Sequence, residues 1–305
     1  MATYHSGEKA VQERAGLARE AAYALGGIGA TVPPVAREFL AEQPLIVLGA
    51  ADRAGRIWAT QLTGAPGFIR VPDPRTVTVD ALPLPEDPLA DILTTGSRPG
   101  IGMIAIEPAT RRRMRINGRA RREGGVLHVD LDQVIANCPK YLQKRNHAEI
   151  RPEDGTAVTR TAVDGTELTP AQQRTVRAAD TFFVATASDQ GDADASHRGG
   201  NPGFVQVLSP SLLRWPDYIG NAMFLTLGNL LLNASAGILV PDWETGAALH
   251  LSGTARTVWD PEEIARVPGA QRLVEFTVEA VREITAASPL RWSSPAYSRF
   301  NPPAG

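Results

Sequence analysis

The sequence has few lysines and no excess of either charge. Its 31 basic residues are arginines apart from Lys9, Lys140 and Lys144, and 33 acidic residues bring the formal net charge to −2. Nucleic-acid-binding domains have a basic excess, so we expect no nucleic-acid partner. Hydrophobic residues make up 43% and charged residues 21% of the 305, which is typical of a folded globular protein.

Cysteines and long apolar segments are also scarce. Cys138 is the single cysteine, which excludes an intrachain disulfide and a cysteine-rich zinc site. The longest apolar stretches, such as Leu230 to Val240, are interrupted by Asn and Gly well short of the ~20 residues of a transmembrane helix. The N-terminus lacks the apolar core of a signal peptide, and the histidines stand at no metal-ligand spacing. We therefore predict a cytoplasmic protein without a membrane segment or a metal site.

Four segments of the chain recur in the same order at a nearly constant offset. Residues 35–51 match 171–187, 65–71 match 201–207, 101–104 match 236–239, and 115–121 match 250–256. One such match could arise by chance, whereas four in the same order indicate an internal duplication. We predict an N-terminal helical arm at 1–32, a first copy at 33–160, and a second copy with a C-terminal tail at 161–305. Residues 160–167 form the predicted linker.

Each copy begins with a helix and continues with short strands. In the second copy, β-branched, aromatic or alternating segments bounded by Gly, Pro, Asn or Asp predict six strands. They are Thr181–Ser188, Gly203–Leu208, Leu212–Trp215, Gly237–Val240, Ala247–Val258 and Leu273–Val281. One helical stretch, Asn221 to Asn233, lies among them. This pattern predicts a small antiparallel barrel in each copy, since a doubly wound sheet would need a helix after nearly every strand.

The two copies differ in one polar segment between two predicted strands. The second copy has Ser196-His197-Arg198-Gly199-Gly200, where the first has Thr60-Gln61-Leu62-Thr63-Gly64. A hydroxyl, an imidazole and a guanidinium followed by glycines can surround an anion, because the side chains donate hydrogen bonds and the glycines let backbone amides approach closely. A polar hairpin with glycine turns is the alternative interpretation.

Two asparagines and two charged segments complete the candidate site. Asn221 precedes the predicted helix and can either cap it or contribute to a phosphate site at its N-terminus. Asn229 lies in an otherwise apolar helix, where its amide needs a partner that a ligand would supply. The matching region of the first copy, Asp87 to Asp91, is acidic and unsuited to phosphate. The run Arg111 to Arg115 is interpreted as a solvated face, with contact to the phosphates of a nicotinamide donor or a nucleic acid as the alternative.

These motifs, in this order, resemble the pyridoxamine 5'-phosphate oxidase-like FMN-binding split barrels. The resemblance covers most of the second copy, including residues 196–199, 202–205, 220–221, 228–229 and 253–255. In the first copy it rests on residues 66–68, 117–120 and 137–141, and segments 4–8 and 289–292 are similar to long two-barrel members. The fold class that it implies is mainly β (α+β): two tandem six-stranded antiparallel split β-barrels with short helices, forming a pseudo-dimer.

The resemblance also implies a set of cofactor-binding residues. In that family each FMN lies at the interface between two barrels. The region of strands two and three holds the phosphate, and the other barrel would cover the isoalloxazine. Carried onto this sequence, Ser196 and Arg198 would meet the phosphate, with His197 beside them. Lys140 and Tyr141 would cover the ring, joined by Trp292 in a homodimer. The complete set is Ser196, His197, Arg198, Gly199, Asn221, Met223, Asn229, Lys140, Tyr141 and Trp292.

The implied function is that of an FMN-dependent oxidoreductase acting on an unknown small molecule, with NAD(P)H as a candidate electron donor and one flavin per chain. FMN supplies the redox chemistry, so no catalytic acid or base is predicted. The substrate-binding motifs of authentic pyridoxamine phosphate oxidases are absent, which argues against that substrate. The alternatives are a non-catalytic flavin or heme carrier, with His197, His147 or His5 as the heme ligand, a deazaflavin in place of FMN, or a structural protein without cofactor.

Overall fold

The computed structural model describes residues 2–94, 98–149 and 159–303. The chain starts with an arm made of α1 (Ser6–Arg14), α2 (Ala18–Ala24), a 3-10 turn (Leu25–Gly27) and the short strand β1 (Ile28–Gly29). His5 caps α1, because its Nδ1 accepts hydrogen bonds from the amides of Gly7 and Glu8 at 3.2 and 3.4 Å. The carboxylate of Glu8 accepts the amide of His5 at 2.8 Å. This is a capping box in which histidine replaces the customary serine or threonine.

The first copy folds into two helices and one antiparallel sheet. Its elements are α3 (Pro34–Glu42), β2 (Leu45–Ala51), β3 (Ile57–Thr63), β4 (Ile69–Asp73), β5 (Thr76–Val79), α4 (Ala90–Thr94), β6 (Gly100–Glu107), β7 (Arg112–Glu123) and β8 (Val126–Ala136). The strands are ordered β3-β2-β6-β7-β8-β5-β4, and β1 of the arm pairs with β8. The arm is thereby attached to the first sheet.

The second copy repeats this arrangement strand for strand. Its elements are β10 (Ala162–Gly165), α5 (Pro170–Ala178), β11 (Thr181–Ala187), β12 (Ala193–Gly199), β13 (Gln206–Ser209), β14 (Leu212–Asp217), α6 (Leu225–Leu232), β15 (Ser235–Pro241), β16 (Ala248–Val258), α7 (Pro261–Ala265) and β17 (Arg272–Ile284). The order is β12-β11-β15-β16-β17-β14-β13, with β10 on β17. Two further strands, β9 (His147–Glu149) and β18 (Leu290–Trp292), pair with each other.

The duplication and the mainly β tandem fold are confirmed, but the predicted number of six strands per unit is wrong. Each sheet has eight strands. The prediction missed β12, because its polar sequence does not alternate with apolar residues. Strands of the first copy bury much of β12, so it needs no apolar face of its own. It also missed β10, an exposed strand inside the predicted linker. The helix α6 starts later than expected, after the left-handed residues Ala222 and Phe224. Within the described parts of the chain, no helix has the length and hydrophobicity of a membrane span.

The two sheets pack on each other through small residues. The shared core contains branched side chains such as Val47 and Ile104 from the first copy and alanines such as Ala185 and Ala195 from the second. A Cβ atom on Gly102 of β6 would lie 2.4 Å from the backbone nitrogen of Ala195 on β12. Gly237 of β15, its counterpart in the duplication, meets the backbone of β3 in the same way. Close packing at this interface therefore places β12 directly against β6 and β7.

We expect Gly102→Ala to destabilise the protein by ~1–3 kcal/mol, because the added methyl group meets backbone atoms and the sheets must separate. The measurement is the free energy of unfolding in urea. Gly26→Ala is the matched control, since a Cβ at Gly26 meets no atom within 4 Å. An effect of Gly102→Ala no larger than that of Gly26→Ala would show that the sheets tolerate a wider spacing.

Candidate functional site

A cavity of about 810 Å³ opens between the two copies, a size typical of small-molecule sites. Its walls come from β7 and the turn 137–141 of the first copy, from β12 and the segment 216–227 of the second, and from residues 17–24 of the arm. Because β12 lies at the edge of its sheet, the side chains of the first sheet can reach it. Both copies therefore contribute residues to the walls of the cavity.

Ser196 lies where two arginines from different sheets converge. Nη2 of Arg115, on β7, donates to Ser196 Oγ, and Nη1 of Arg198 donates to the same oxygen at 2.7 Å. Arg115 is itself held by a buried ion pair, with Nη1 at 3.2 Å from Oδ1 of Asp194. Thr226 donates to the other carboxylate oxygen of Asp194 at 3.3 Å. These contacts fix the serine hydroxyl and the two guanidinium groups relative to each other.

His197 is buried beside a third arginine. Nη1 of Arg113 lies 2.8 Å from Nδ1 of His197, and because a guanidinium only donates, Nδ1 must accept and the ring proton is on Nε2. Burial and the charges of Arg113 and Arg198 hold the pKa of His197 well below its usual range. The ring is therefore neutral at physiological pH. Its Nε2 is buried without a hydrogen-bond partner among the described residues.

Two of these arginines have no counter-charge in contact. Within the described residues, neither Arg113 nor Arg198 has a carboxylate oxygen within 4.0 Å. Burial, followed by the charges of Arg115 and Arg198, lowers the pKa of Arg113 to about 10. The two carboxylates that favour the charge of Arg198 are already paired with other arginines, Asp217 with Arg272 at 2.8 Å and Asp194 with Arg115 at 3.2 Å. Because partly buried cations need an anion, this end of the cavity is suited to a negatively charged group.

Aromatic rings form the wall next to the arginines. The rings of Tyr141 and Tyr218 are 4.9 Å apart and inclined by 35°, and the hydroxyl of Tyr141 donates to the carbonyl of Ile219 at 3.3 Å. Burial, followed by the neighbouring Tyr141, raises the pKa of Tyr218 to about 12. Tyr218 is therefore protonated at neutral pH. Such a wall can cover a flat ring system.

Unusual backbone conformations concentrate at this cavity. Among the described residues, five non-glycine residues have a positive φ, and Tyr141, Ala222 and Phe224 of these five line the cavity, with φ of 64°, 60° and 59°. Each such residue costs about 1–3 kcal/mol and persists only where its surroundings hold it. Strain of this kind is common at functional sites, so the backbone conformation and the unpaired charges both indicate that this cavity is the functional site.

Seven of the ten predicted residues line the cavity. They are Ser196, His197, Arg198, Gly199, Asn221, Lys140 and Tyr141. Asn221 Oδ1 accepts the amide of Met223 at 3.1 Å, so it stabilises the turn before α6.

The other three predicted residues lie elsewhere. Asn229 donates to Thr186 Oγ1 at 3.1 Å and bonds Nε2 of His5 at 3.0 Å, so its partners belong to the protein. Met223 is buried in the core beneath the arm. Trp292 packs against Trp243, with ring centres 5.2 Å apart.

The family model for pyridoxamine 5'-phosphate oxidase matches residues 168–286, which is nearly the whole second copy. The second copy is therefore identified with the pyridoxamine 5'-phosphate oxidase family. No curated protein matches the chain.

Solved structures cover about one copy each. A candidate pyridoxamine 5'-phosphate oxidase from Lactobacillus delbrueckii is 19% identical over 38% of this chain and 93% of its own, with a TM-score of 0.32. An FAD-binding protein from Mesorhizobium loti is 13% identical over 41% and 98%, with a TM-score of 0.29. An FAD-binding protein from Mycobacterium smegmatis is 14% identical over 40% and 98%, also with a TM-score of 0.29.

The cavity also depends on residues that the sequence analysis missed. The interpretation of Arg111 to Arg115 as a solvated face is wrong for Arg113 and Arg115, which face the cavity, while Arg112 is exposed beside Glu107. The signal was present in their spacing, because residues two apart on a strand share a face. The arm residues at 17–24 carried no such signal.

The first barrel holds a carboxylate at the matching position. Thr60, the counterpart of Ser196, donates to the buried carboxylate of Asp87, which also accepts the amide of Leu89 at 2.8 Å. His250, the counterpart of Arg115, is buried and bonds the carbonyl of Ala59 at 2.9 Å. Burial raises the pKa of Asp87. The first copy thus has the carboxyl group of Asp87 at the position where the second copy has Arg115 and Arg198.

Glu8 is buried against Gly228 of α6, and we expect it to make stability depend on pH. Burial, opposed by the bond from the amide of His5, raises its pKa from 4.5 to about 7. Between these values the unfolded chain releases the proton first, so stability falls as pH rises from about 4.5 to 7. Glu8→Gln keeps an acceptor for that amide and removes the buried charge. Its Tm should therefore exceed that of the wild type by a margin that grows over this range and is constant above it.

The control is the exposed Glu13→Gln on the same helix, measured at the same pH values. A Tm difference between Glu8→Gln and the wild type that does not change with pH would contradict the raised pKa.

Proposed function

We propose that the cavity between the barrels binds FMN and that the protein is an FMN-dependent oxidoreductase acting on a small molecule. The observation that carries this proposal is the pair Arg113 and Arg198, two cations without a carboxylate partner among the described residues, next to the adjacent rings of Tyr141 and Tyr218. A ligand with an anionic group at one end and a flat ring at the other fits this arrangement. The family membership of the second barrel supports the same cofactor class.

The residues divide the binding of FMN between the two copies. Arg198 and Ser196 of the second copy and Arg113 of the first would hold the phosphate, because charge-assisted hydrogen bonds are the strongest available to a phosphate oxygen. Arg115 keeps Ser196 and Asp194 in place. The proton on Nε2 of His197 gives a further donor that needs an acceptor. The orphaned donor and the two unpaired cations therefore fit a phosphate.

The tyrosine wall would orient the ring and keep water from one of its faces. Bound FMN supplies hydride and electron transfer at its ring, and the protein supplies position and nearby charge. His197 is neutral and is held by Arg113, so we assign it to binding and not to proton transfer. The internal carboxylate of Asp87 in the first barrel supports one flavin per chain.

We expect Arg198→Ala to weaken FMN binding by about 10–100-fold, the loss expected for one or two charge-assisted hydrogen bonds. Riboflavin, which has no phosphate, should bind the variant and the wild type equally well. Both affinities can be measured by titrating flavin fluorescence. Arg177→Ala on the exposed face of α5 is the matched control. Equal losses for FMN and riboflavin would show that Arg198 supports the fold and does not meet the phosphate.

The absorption spectrum of the purified protein, with mass analysis of whatever denaturation releases, tests the cofactor itself. Flavin bands and about one FMN per chain support the proposal. Release of FAD, deazaflavin or heme would show that this group, and not FMN, is the cofactor. A colourless protein that does not bind added FMN would overturn it. Reduction of the bound flavin by NADH or NADPH then separates an enzyme from a carrier, which would keep its flavin without turnover.

A further inference from the structure

Gln143 is a buried hydrogen-bond hub next to the cavity, although it does not line it. Its side chain is 1% exposed. The amide nitrogen lies 3.0 Å from the carbonyl oxygen of Tyr141, 3.1 Å from that of Gly200 and 3.4 Å from that of Asp180. One amide group thus joins the turn that follows the first barrel to two backbone segments of the second. Buried polar networks that are satisfied in this way make a structure rigid.

The turn that Gln143 holds contains the strained residue Tyr141. With φ at 64°, Tyr141 has a left-handed backbone that a bulky residue rarely adopts. Its carbonyl presses on Gly199 of β12, where a Cβ atom would lie 2.1 Å from the oxygen. The left-handed turn and the glycine let this carbonyl enter the second barrel and reach Gln143. Without the amide of Gln143, the buried carbonyl would lose its donor and the turn would relax.

The C-terminal tail holds Gln143 from its other side. Oε1 of Gln143 accepts the amide of Ser298 at 2.8 Å and Nδ2 of Asn301 at 3.0 Å. Asn301 also donates to Oδ1 of Asn201 at 3.0 Å, and Asn201 donates to the carbonyl of Pro302 at 2.9 Å. The tail therefore fixes the orientation of the glutamine amide. Its nitrogen must then face the carbonyls of the turn.

We propose that Gln143, oriented by Asn301 of the C-terminal tail, is a positioning residue that sets the ring of Tyr141 against the bound flavin. The proposal rests on the proposed function, because it takes the flavin as the group that Tyr141 covers. It adds a residue outside the cavity and makes the tail part of the site. The hydrogen bond from Gln143, and not the backbone preference of Tyr141, then keeps the ring of Tyr141 beside Tyr218.

The test compares Gln143→Met with Gln172→Met. Both glutamines are buried and hydrogen-bonded, but Gln172 lies in α5, where it caps the helix and contacts Glu283. We expect both variants to lower the Tm. Only Gln143→Met should weaken FMN binding, by about tenfold, and raise the fluorescence of bound FMN, because a tyrosine ring against the flavin quenches it. Asn301→Ala removes the bonds from the tail to Gln143 and Asn201 and should give changes of about threefold in the same direction, which provides a second test if Gln143→Met does not fold.

Cys138 gives a readout that needs no flavin. It is the single cysteine, is exposed and lies in the same turn as Tyr141. We expect Gln143→Met and Asn301→Ala to raise its rate of modification by a thiol reagent severalfold over the rates of the wild type and Gln172→Met. The proposal is overturned if Gln143→Met and Asn301→Ala match the Gln172→Met control in FMN affinity, flavin fluorescence and Cys138 reactivity. A wild type that binds no FMN would overturn the proposed function, and the Cys138 rates would then decide whether Gln143 holds the turn.

Discussion

The close packing of two β-sheets through glycine and alanine is the constraint on which the rest of this structure depends. Gly102 and Gly237 let backbone meet backbone, and the shared core between the sheets has alanines where larger side chains would hold them apart. Because β12 is thereby pressed against β6 and β7, arginines of the first sheet reach a serine and a histidine of the second. A wider spacing would leave the same residues in place in each copy and separate the groups that together attract an anion.

Duplication within one chain lets the two halves of this pseudo-dimer diverge. In a homodimer an isologous interface presents the same residues twice, so a change that improves one site alters both. Here the strand order is identical in the two copies, yet Arg115 corresponds to His250 and Arg198 corresponds to Leu62. The first copy has instead buried a carboxylate, Asp87, next to Thr60. The same backbone therefore presents cations at one matching position and a buried carboxyl group at the other.

The sequence was most informative where side chains report local structure. The duplication, the helix start at Thr169 and the polar segment 196–199 could all be predicted, because caps, turns and repeats depend on near neighbours in the chain. Features that depend on the other copy could not. The strand β12 has no apolar alternation, since its neighbours in space and not its own pattern bury it. Arg113 and Arg115 read as solvated for the same reason. The amide of Asn229 was expected to need a ligand as partner, but its partners are Thr186 of β11 and His5 of the arm, both far away in sequence.

The cavity concentrates features that cost stability. Two cations lack a carboxylate partner among the described residues, a buried imidazole N–H has no acceptor, and three residues adopt left-handed backbones. Arg145, a buried arginine elsewhere in the fold, has a carboxylate partner in Asp180 at 2.7 Å. Such a collection persists when the surrounding structure holds it rigidly or when a ligand completes it. Sheet packing and the hub at Gln143 provide the rigidity, but neither supplies a negative charge. An anion that binds the folded chain and not the unfolded one increases the free energy of unfolding with the logarithm of the anion concentration. Because the cavity carries unpaired positive charge, the stability of the fold should therefore depend on an anionic ligand.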